Sequence, residues 1–188
     1  ELGGKCPAVI DPEYPMDKAD GRIMFVKQFN AGQICTNVDY VFVHESQKQA
    51  FVVEAKKDTA THCPDINHED YTSIIDERAF DRLEATLEDA RTKGATIVNL
   101  SEGQHSNRET RKIPMHLVLD TTENMSIRQR ETFGPFLMVM SYSNPGEVID
   151  YVNANDRPLA LYPFTKNDEL ASLYVERIMS GGVSVNDA

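Results

Sequence analysis

Short β-branched and aromatic runs alternate along this chain with stretches of ten or more residues whose apolar positions recur at three- and four-residue steps. That alternation restricts the fold more than any other feature. Strands joined through helices of this length pair in parallel by crossover, so the pattern predicts an α/β fold with a mostly parallel sheet flanked by helices. Tyr40-Val41-Phe42-Val43-His44 reads as a strand, and Ser46 with Gln49 offers a capping box for a helix through about Asp58. Phe80, Leu83, Leu87 and Ala90 form the stripe of a helix ending near Gly94, followed by a strand over 96–100. Residues 101–112 are polar and aperiodic, a surface loop. Leu117–Leu119 and Phe136–Met140 read as strands. Asn144-Pro145-Gly146-Glu147 starts a helix to about Ala154, and Leu159–Phe164 follows as a strand. A helix over Asp168–Met179, with Leu170, Leu173, Tyr174 and Ile178 inward, stops at Gly181-Gly182 before a last strand, Val183–Val185.

A chain of 188 residues can bury a substantial core as one domain. Nineteen Lys and Arg against thirty Asp and Glu give a formal charge of −11, which repels phosphate backbones and anionic lipid. Neither nucleic acid nor a membrane is expected as a partner, and no apolar stretch is long enough to span a bilayer. Three cysteines, Cys6, Cys35 and Cys63, are too few for a disulfide-stapled scaffold and fit a reducing, cytoplasmic setting. The opening at Glu1 without Met reads as a piece of a longer protein.

No glycine-rich phosphate loop of either common spacing occurs. His62, Cys63 and His68 could be near one metal ion, but a fourth ligand is missing; surface residues account for them, and no metal site is expected. Cys35 follows Asn30-Ala31-Gly32-Gln33-Ile34, where Gly32 ends the helical stretch that begins near Asp17. A thiol on such a turn can project into a cleft beside backbone N–H groups, as a nucleophile that generates an oxyanion requires; a buried small hydrophobe is the alternative. Glu131 and Phe133 project together from Glu131-Thr132-Phe133-Gly134-Pro135 just before an apolar strand, which suits either a ligand-facing loop end or packing and capping. Glu1, taken alone, is an ordinary surface glutamate.

Glu1-Leu2-Gly3-Gly4-Lys5, Phe29-Asn30-Ala31-Gly32-Gln33-Ile34-Cys35 and Glu131-Thr132-Phe133-Gly134-Pro135, in this order, resemble the three signature motifs of the aldehyde dehydrogenase superfamily. The likeness spans nearly the whole chain and corresponds to the family's catalytic domain, the nucleotide-binding domain being absent. Asp39-Tyr40-Val41 and Pro158-Leu159-Ala160-Leu161-Tyr162 resemble the branch that acts on aromatic and long-chain aldehydes. Cys6 stands where relatives usually carry a polar residue.

The resemblance implies that Cys35 is the nucleophile, Glu1 the general base that activates water, and Glu131 and Phe133 the contacts to the nicotinamide ribose and ring of NAD or NADP. It implies an aldehyde substrate and a homodimeric parent enzyme, with the strand at Val183–Val185 as a natural pairing edge. Two other readings stand beside it. One is a Cys–His thiol hydrolase using His44, and the other is a non-catalytic interface module.

Overall fold

The computed structural model of the protein describes residues 4–188. The chain forms β1 (Cys6–Ile10), α1 (Met16–Gln28), β2 (Val38–His44), α2 (Lys48–His62), α3 (Glu77–Thr92), β3 (Thr96–Asn99), β4 (His116–Leu119), α4 (Ser126–Gln129), β5 (Phe136–Tyr142), α5 (Pro145–Ala154), β6 (Ala160–Phe164), α6 (Asp168–Arg177) and β7 (Gly182–Val183). The seven strands make one sheet in the order β3-β4-β5-β2-β1-β6-β7. Every pairing is parallel except β3 with β4, which run antiparallel. The expected architecture is therefore present, with one reversed edge strand.

Parallel strands covered on both faces become continuously apolar, and β1 and β6 are buried along their whole length. Alternate residues of β2 serve different cores: Tyr40 and Phe42 join Leu83, Leu87 and Val148 on one side, while Val41 and Val43 join Ile23, Met24 and Phe51 on the other. Helices α3 and α5 therefore cover one face, and α1 and α2 the opposite one.

Helix starts follow local chemistry where a side chain can reach. Asp76 accepts from the Ala79 N–H at 2.7 Å, and Asn144 caps α5 ahead of Pro145 while Glu147 accepts the Ser143 N–H at 2.9 Å. The capping box at Ser46 and Gln49 does not form. The Ser46 N–H instead donates to His44 Nδ1 at 3.3 Å, a short 3₁₀ turn intervenes, and α2 begins at Lys48 and continues to His62. Helix α1 stops at Gln28, before Gly32, because Asn30 and Ala31 adopt left-handed backbone (φ 53° and 51°) that breaks the helical ladder. In α6 Tyr174 is buried and Leu170 packs partly buried against the same core, which Ile178 joins just past the end of the helix at Arg177, whereas Leu173 is exposed. The last strand is Gly182–Val183 rather than Val183–Val185. Two elements are additions to the sequence reading: β1, a central strand, and the single turn α4.

Within the interface of α1 and α2, Asp20 is 1% exposed and its Oδ1 has no hydrogen-bond partner. Burial, reinforced by Asp58 and Glu54 and opposed by Lys57, pushes its pKa up to about 8. A carboxyl whose folded pKa lies above its unfolded value costs stability progressively as pH rises from the unfolded value of 3.8 to the folded one. Asp20→Asn is expected to leave the thermal midpoint unchanged near pH 4. At pH 8 it should raise the midpoint by about 3 °C or more, roughly 1 kcal/mol, as read by circular dichroism melting.

Candidate active site

In open α/β sheets the usual ligand crevice lies at the carboxyl ends of the parallel strands. Here the candidate residues gather at the opposite end. Gly4 and Lys5 lead into β1, Cys35 into β2, and Glu131–Pro135 into β5; these strands are neighbours in the order β5-β2-β1, all parallel. Three segments remote in sequence are thus brought to one rim of the sheet.

Asp39, the second residue of β2 and 3% exposed, links them. Its carboxylate accepts the Thr132 N–H at 2.8 Å and pairs with the Lys5 ammonium. Lys5 Nζ also donates to the carbonyls of Ile127 at 2.8 Å and Arg130 at 3.0 Å. One buried carboxylate and one lysine therefore tie the head of β1 to the loop that carries Glu131 and Phe133.

A backbone approach makes the second link. Gly32 has φ +73°, and a Cβ placed there would lie 2.2 Å from the Gly134 carbonyl oxygen. Gly134 in turn packs so closely on Leu83 of α3 that a Cβ would fall 2.5 Å from its side chain. The turn before Cys35, the Glu131–Pro135 loop and α3 are stacked with no room for a methyl group.

Cys35 is half-buried on the turn that follows. Its carbonyl accepts from Cys6 Sγ at 3.6 Å, the Asn37 N–H closes the turn onto the Ile34 carbonyl at 3.1 Å, and the Thr36 carbonyl takes the Tyr162 hydroxyl of β6 at 2.6 Å. Gln33 braces the other side, donating to the Ser73 carbonyl at 3.2 Å and accepting the Ile75 N–H at 2.9 Å. Cys6 is enclosed in the core, and burial pushes its thiol up to about 11, so it stays protonated and acts as a hydrogen-bonding hydrophobe.

Glu131 is half-buried. Burial raises its pKa, with the Asp39 charge adding to the rise and the Gly4 backbone, Lys5 and Lys27 opposing it. Phe133 is exposed and has left-handed backbone (φ 46°), a costly conformation for an aromatic residue, and the Arg82 guanidinium reaches its carbonyl at 3.5 Å. Both line a cleft of ≈ 540 Å³ together with Gly4, Lys5, Arg128 and Tyr151. A second, larger groove of ≈ 1020 Å³ runs along α1, lined by Phe25, Phe29, Tyr14 and Tyr71, and reaches Asn30, five residues before Cys35.

The sequence-derived set is only partly brought together in what can be seen. Cys35, Glu131 and Phe133 lie on segments in direct contact, whereas Glu1 falls outside the described residues. His44 occupies the far end of β2 from Cys35, about 20 Å of strand away, and bonds Ser46 Oγ at 2.7 Å. His62, Cys63 and His68 turn to separate partners, Asp58, Gln28 and Asp70.

The structural role of Asp39 and the burial of Lys27 escaped the sequence reading. Asp39 is a lone charge heading the otherwise apolar strand 38–43, and Lys27 continues the buried stripe of Asp20, Ile23 and Met24 on α1. Both patterns are visible signals, because charged residues are seldom fully buried unless paired.

The aldehyde dehydrogenase family profile matches residues 1–188. The chain belongs to the aldehyde dehydrogenase family. Among curated relatives, probable coniferyl aldehyde dehydrogenases of Caulobacter vibrioides and Pseudomonas aeruginosa are 43% and 41% identical over the whole of this chain, which spans 39% of the length of each. Among solved structures, a substrate-bound state of Staphylococcus aureus AldH superposes with a TM-score of 0.91 at 31% identity, covering all of this chain and 40% of that one. NADP-dependent glyceraldehyde-3-phosphate dehydrogenase from Bacillus halodurans, complexed with NADP, gives 0.88 at 26% identity, covering all of this chain and 39% of that one.

The Gly32 contact yields a direct test of how this family site is assembled. Gly103 has a similar φ, +76°, but open space where a Cβ would go. Gly103→Ala should cost about 1 kcal/mol from backbone strain alone, whereas Gly32→Ala should cost at least about 2 kcal/mol more in urea unfolding, because the Gly134 backbone must move.

Proposed function

We propose that this chain is the catalytic domain of a larger NAD(P)-dependent aldehyde dehydrogenase that oxidises aromatic or long-chain aldehydes to carboxylic acids. The observation that carries the reading is the convergence of the Gly4-Lys5, Gly32–Cys35 and Glu131–Pro135 segments on one rim, locked by Asp39 and the Gly32–Gly134 contact.

In this mechanism the Cys35 thiolate attacks the aldehyde carbon, giving a thiohemiacetal whose oxygen is stabilised by the Cys35 backbone N–H. Glu131 and Phe133 would hold NAD or NADP, which when bound would supply the acceptor for the hydride lost from this carbon as the Cys35 thiohemiacetal becomes a thioester. Glu1 acts as general base on a water molecule, which attacks the thioester carbonyl; the Cys35 sulfur leaves and the carboxylic acid is released. The chemistry of the cleft beside Glu131 fits a nicotinamide nucleoside: a carboxyl suited to accepting ribose hydroxyls, next to an exposed phenyl ring suited to packing on a flat ring. The adenosine end would be held by a separate nucleotide-binding domain, as would a second oxyanion donor.

Substrate preference follows from the groove along α1. Phe25 and Phe29, 66% and 59% exposed with ring centroids 6.2 Å apart, offer apolar faces to an aryl or long alkyl group on the approach to the Cys35 turn. Homodimer formation would use the sheet edge at β7, beside the exposed Val183 and Val185. Cysteines without a disulfide and the absence, among the described residues, of a helix long and apolar enough to cross a membrane accord with a cytoplasmic enzyme.

The test is production of reduced nicotinamide, followed by absorbance, by the full-length enzyme with an aromatic aldehyde and NAD or NADP. Cys35→Ser should lower kcat by at least about 10³-fold, and Glu1→Gln should give one burst of reduced cofactor followed by slow turnover. Activity surviving Cys35→Ser would refute the nucleophile assignment, and loss of the burst in Glu1→Gln would move that residue to the first chemical step. The 188-residue chain alone should fold yet give no steady turnover.

Phe29→Ala provides a separate check on the substrate. It should raise KM for an aromatic aldehyde about tenfold while leaving that for a two-carbon aldehyde within about twofold, the loss of one apolar wall. Equal effects on both substrates would remove the groove from the substrate path.

A further inference from the structure

Cys6 opens β1 and is wholly enclosed. It sits where the pairing of β1 with β2 slips: Cys6 lies opposite Val38 but Pro7 opposite Tyr40, so Asp39 is the extra residue of a bulge. On the other side, the ladder of β1 with β6 runs from Ala8 and Tyr162 to Ile10 and Phe164. Beyond both ladders the Cys6 side chain takes over. Its sulfur accepts the Ala160 N–H of β6 at 3.3 Å, and its S–H donates to the Cys35 carbonyl at 3.6 Å.

Three consecutive carbonyls shape the turn that carries Cys35. That of Ile34 takes the Asn37 N–H from within the turn, that of Thr36 takes the Tyr162 hydroxyl, and that of Cys35 takes the Cys6 thiol. The turn is therefore fastened to β1 and β6 at two successive residues. A trans peptide unit is planar, so fixing the direction of the Cys35 carbonyl also fixes the plane beside its Cα and points the Thr36 N–H away from Cys6.

We propose that Cys6 is a positioning residue for the nucleophile: its buried thiol links the Ala160 N–H of β6 to the Cys35 carbonyl and so holds the plane from which the Cys35 side chain projects. The inference rests on the dehydrogenase reading for its effect on turnover, but not for the two hydrogen bonds. Cys6 takes part in no bond-making step. Because burial pushes its thiol up to about 11, the donor proton is retained at neutral pH.

Cys6→Ala and Cys6→Ser separate this role from packing, since Ala and Ser are of nearly equal size and only Ser can both accept and donate. In the full-length enzyme, hydrogen–deuterium exchange resolved to single amides by mass spectrometry should show Ala160 and Asn37 exchanging about tenfold faster in Cys6→Ala. In Cys6→Ser both should stay within about threefold of wild type, and Val139 in the middle of β5 should be unchanged in either variant. Cys6→Ala should lower kcat about tenfold with KM for aldehyde and cofactor changed less than about threefold, and Cys6→Ser should restore kcat to within about threefold. In the wild-type enzyme the infrared S–H stretch of Cys6, isolated as the difference from Cys6→Ser, should lie below that of a thiol that donates no hydrogen bond. A Cys6→Ser enzyme no better than Cys6→Ala would overturn the proposal, as would wild-type Asn37 exchange in Cys6→Ala. An unshifted S–H stretch would overturn it even if Cys6→Ala failed to fold. Absence of any Cys35-dependent turnover in the wild-type enzyme would instead count against the dehydrogenase reading and leave the exchange and infrared tests standing.

Discussion

The candidate site depends on one buried carboxylate. Asp39 sits at the start of β2 with almost no solvent contact, and a charge there is tolerated only because Lys5 and the Thr132 amide satisfy it. Each partner comes from a different segment, so satisfying Asp39 requires the head of β1 and the loop before β5 to approach β2 in one register. The same interaction that makes the buried charge acceptable therefore fixes the Glu131–Phe133 loop against the strand that follows the Cys35 turn. Removing either partner would leave Asp39 uncompensated, which is why this network specifies geometry more than it adds stability.

Steric exclusion complements the electrostatics. The Gly32–Gly134–Leu83 stack leaves no space for a Cβ at Gly32 without moving the Gly134 backbone, and one at Gly134 would displace the Leu83 side chain. Asn30, Ala31 and Phe133 adopt left-handed backbone around it. The strands behind these two segments are regular and largely buried on both faces. A rigid sheet holding strained rims is the arrangement expected where reactive groups must be held at fixed separation.

Placing the site at the amino ends of β1, β2 and β5 also has a consequence for chain economy. At this rim the turn before β2 follows the crossover helix α1, and the loop before β5 follows the single turn α4. The turn before β2 is short and tied by Gln33 to the 73–75 segment, whereas the stretch between β4 and β5 includes the extra turn α4, whose Ile127 carbonyl receives Lys5. Three connections of different origin thus become one surface.

Periodicity in the sequence determined the layer architecture and most helix and strand positions, because burial on a face imposes its repeat on the residues themselves. The stripe Phe80, Leu83, Leu87, Ala90 and the cap at Asn144 are legible for that reason, and so is family membership, carried by motifs whose residues the site requires. The failed capping box at Ser46 and the early end of α1 were not legible, since each turns on a local competition that spacing does not record: His44 takes the Ser46 N–H, and Asn30 and Ala31 turn left-handed. The reversed pairing of β3, the position of the site at the amino ends of the strands, and the meeting of Lys5, Asp39 and Thr132 were decided by tertiary structure alone. Sequence spacing records which side a residue faces along its own element, but the pairing of strands such as β2 and β5, where Tyr40 lies opposite Met138, is set by the balance of all their contacts at once.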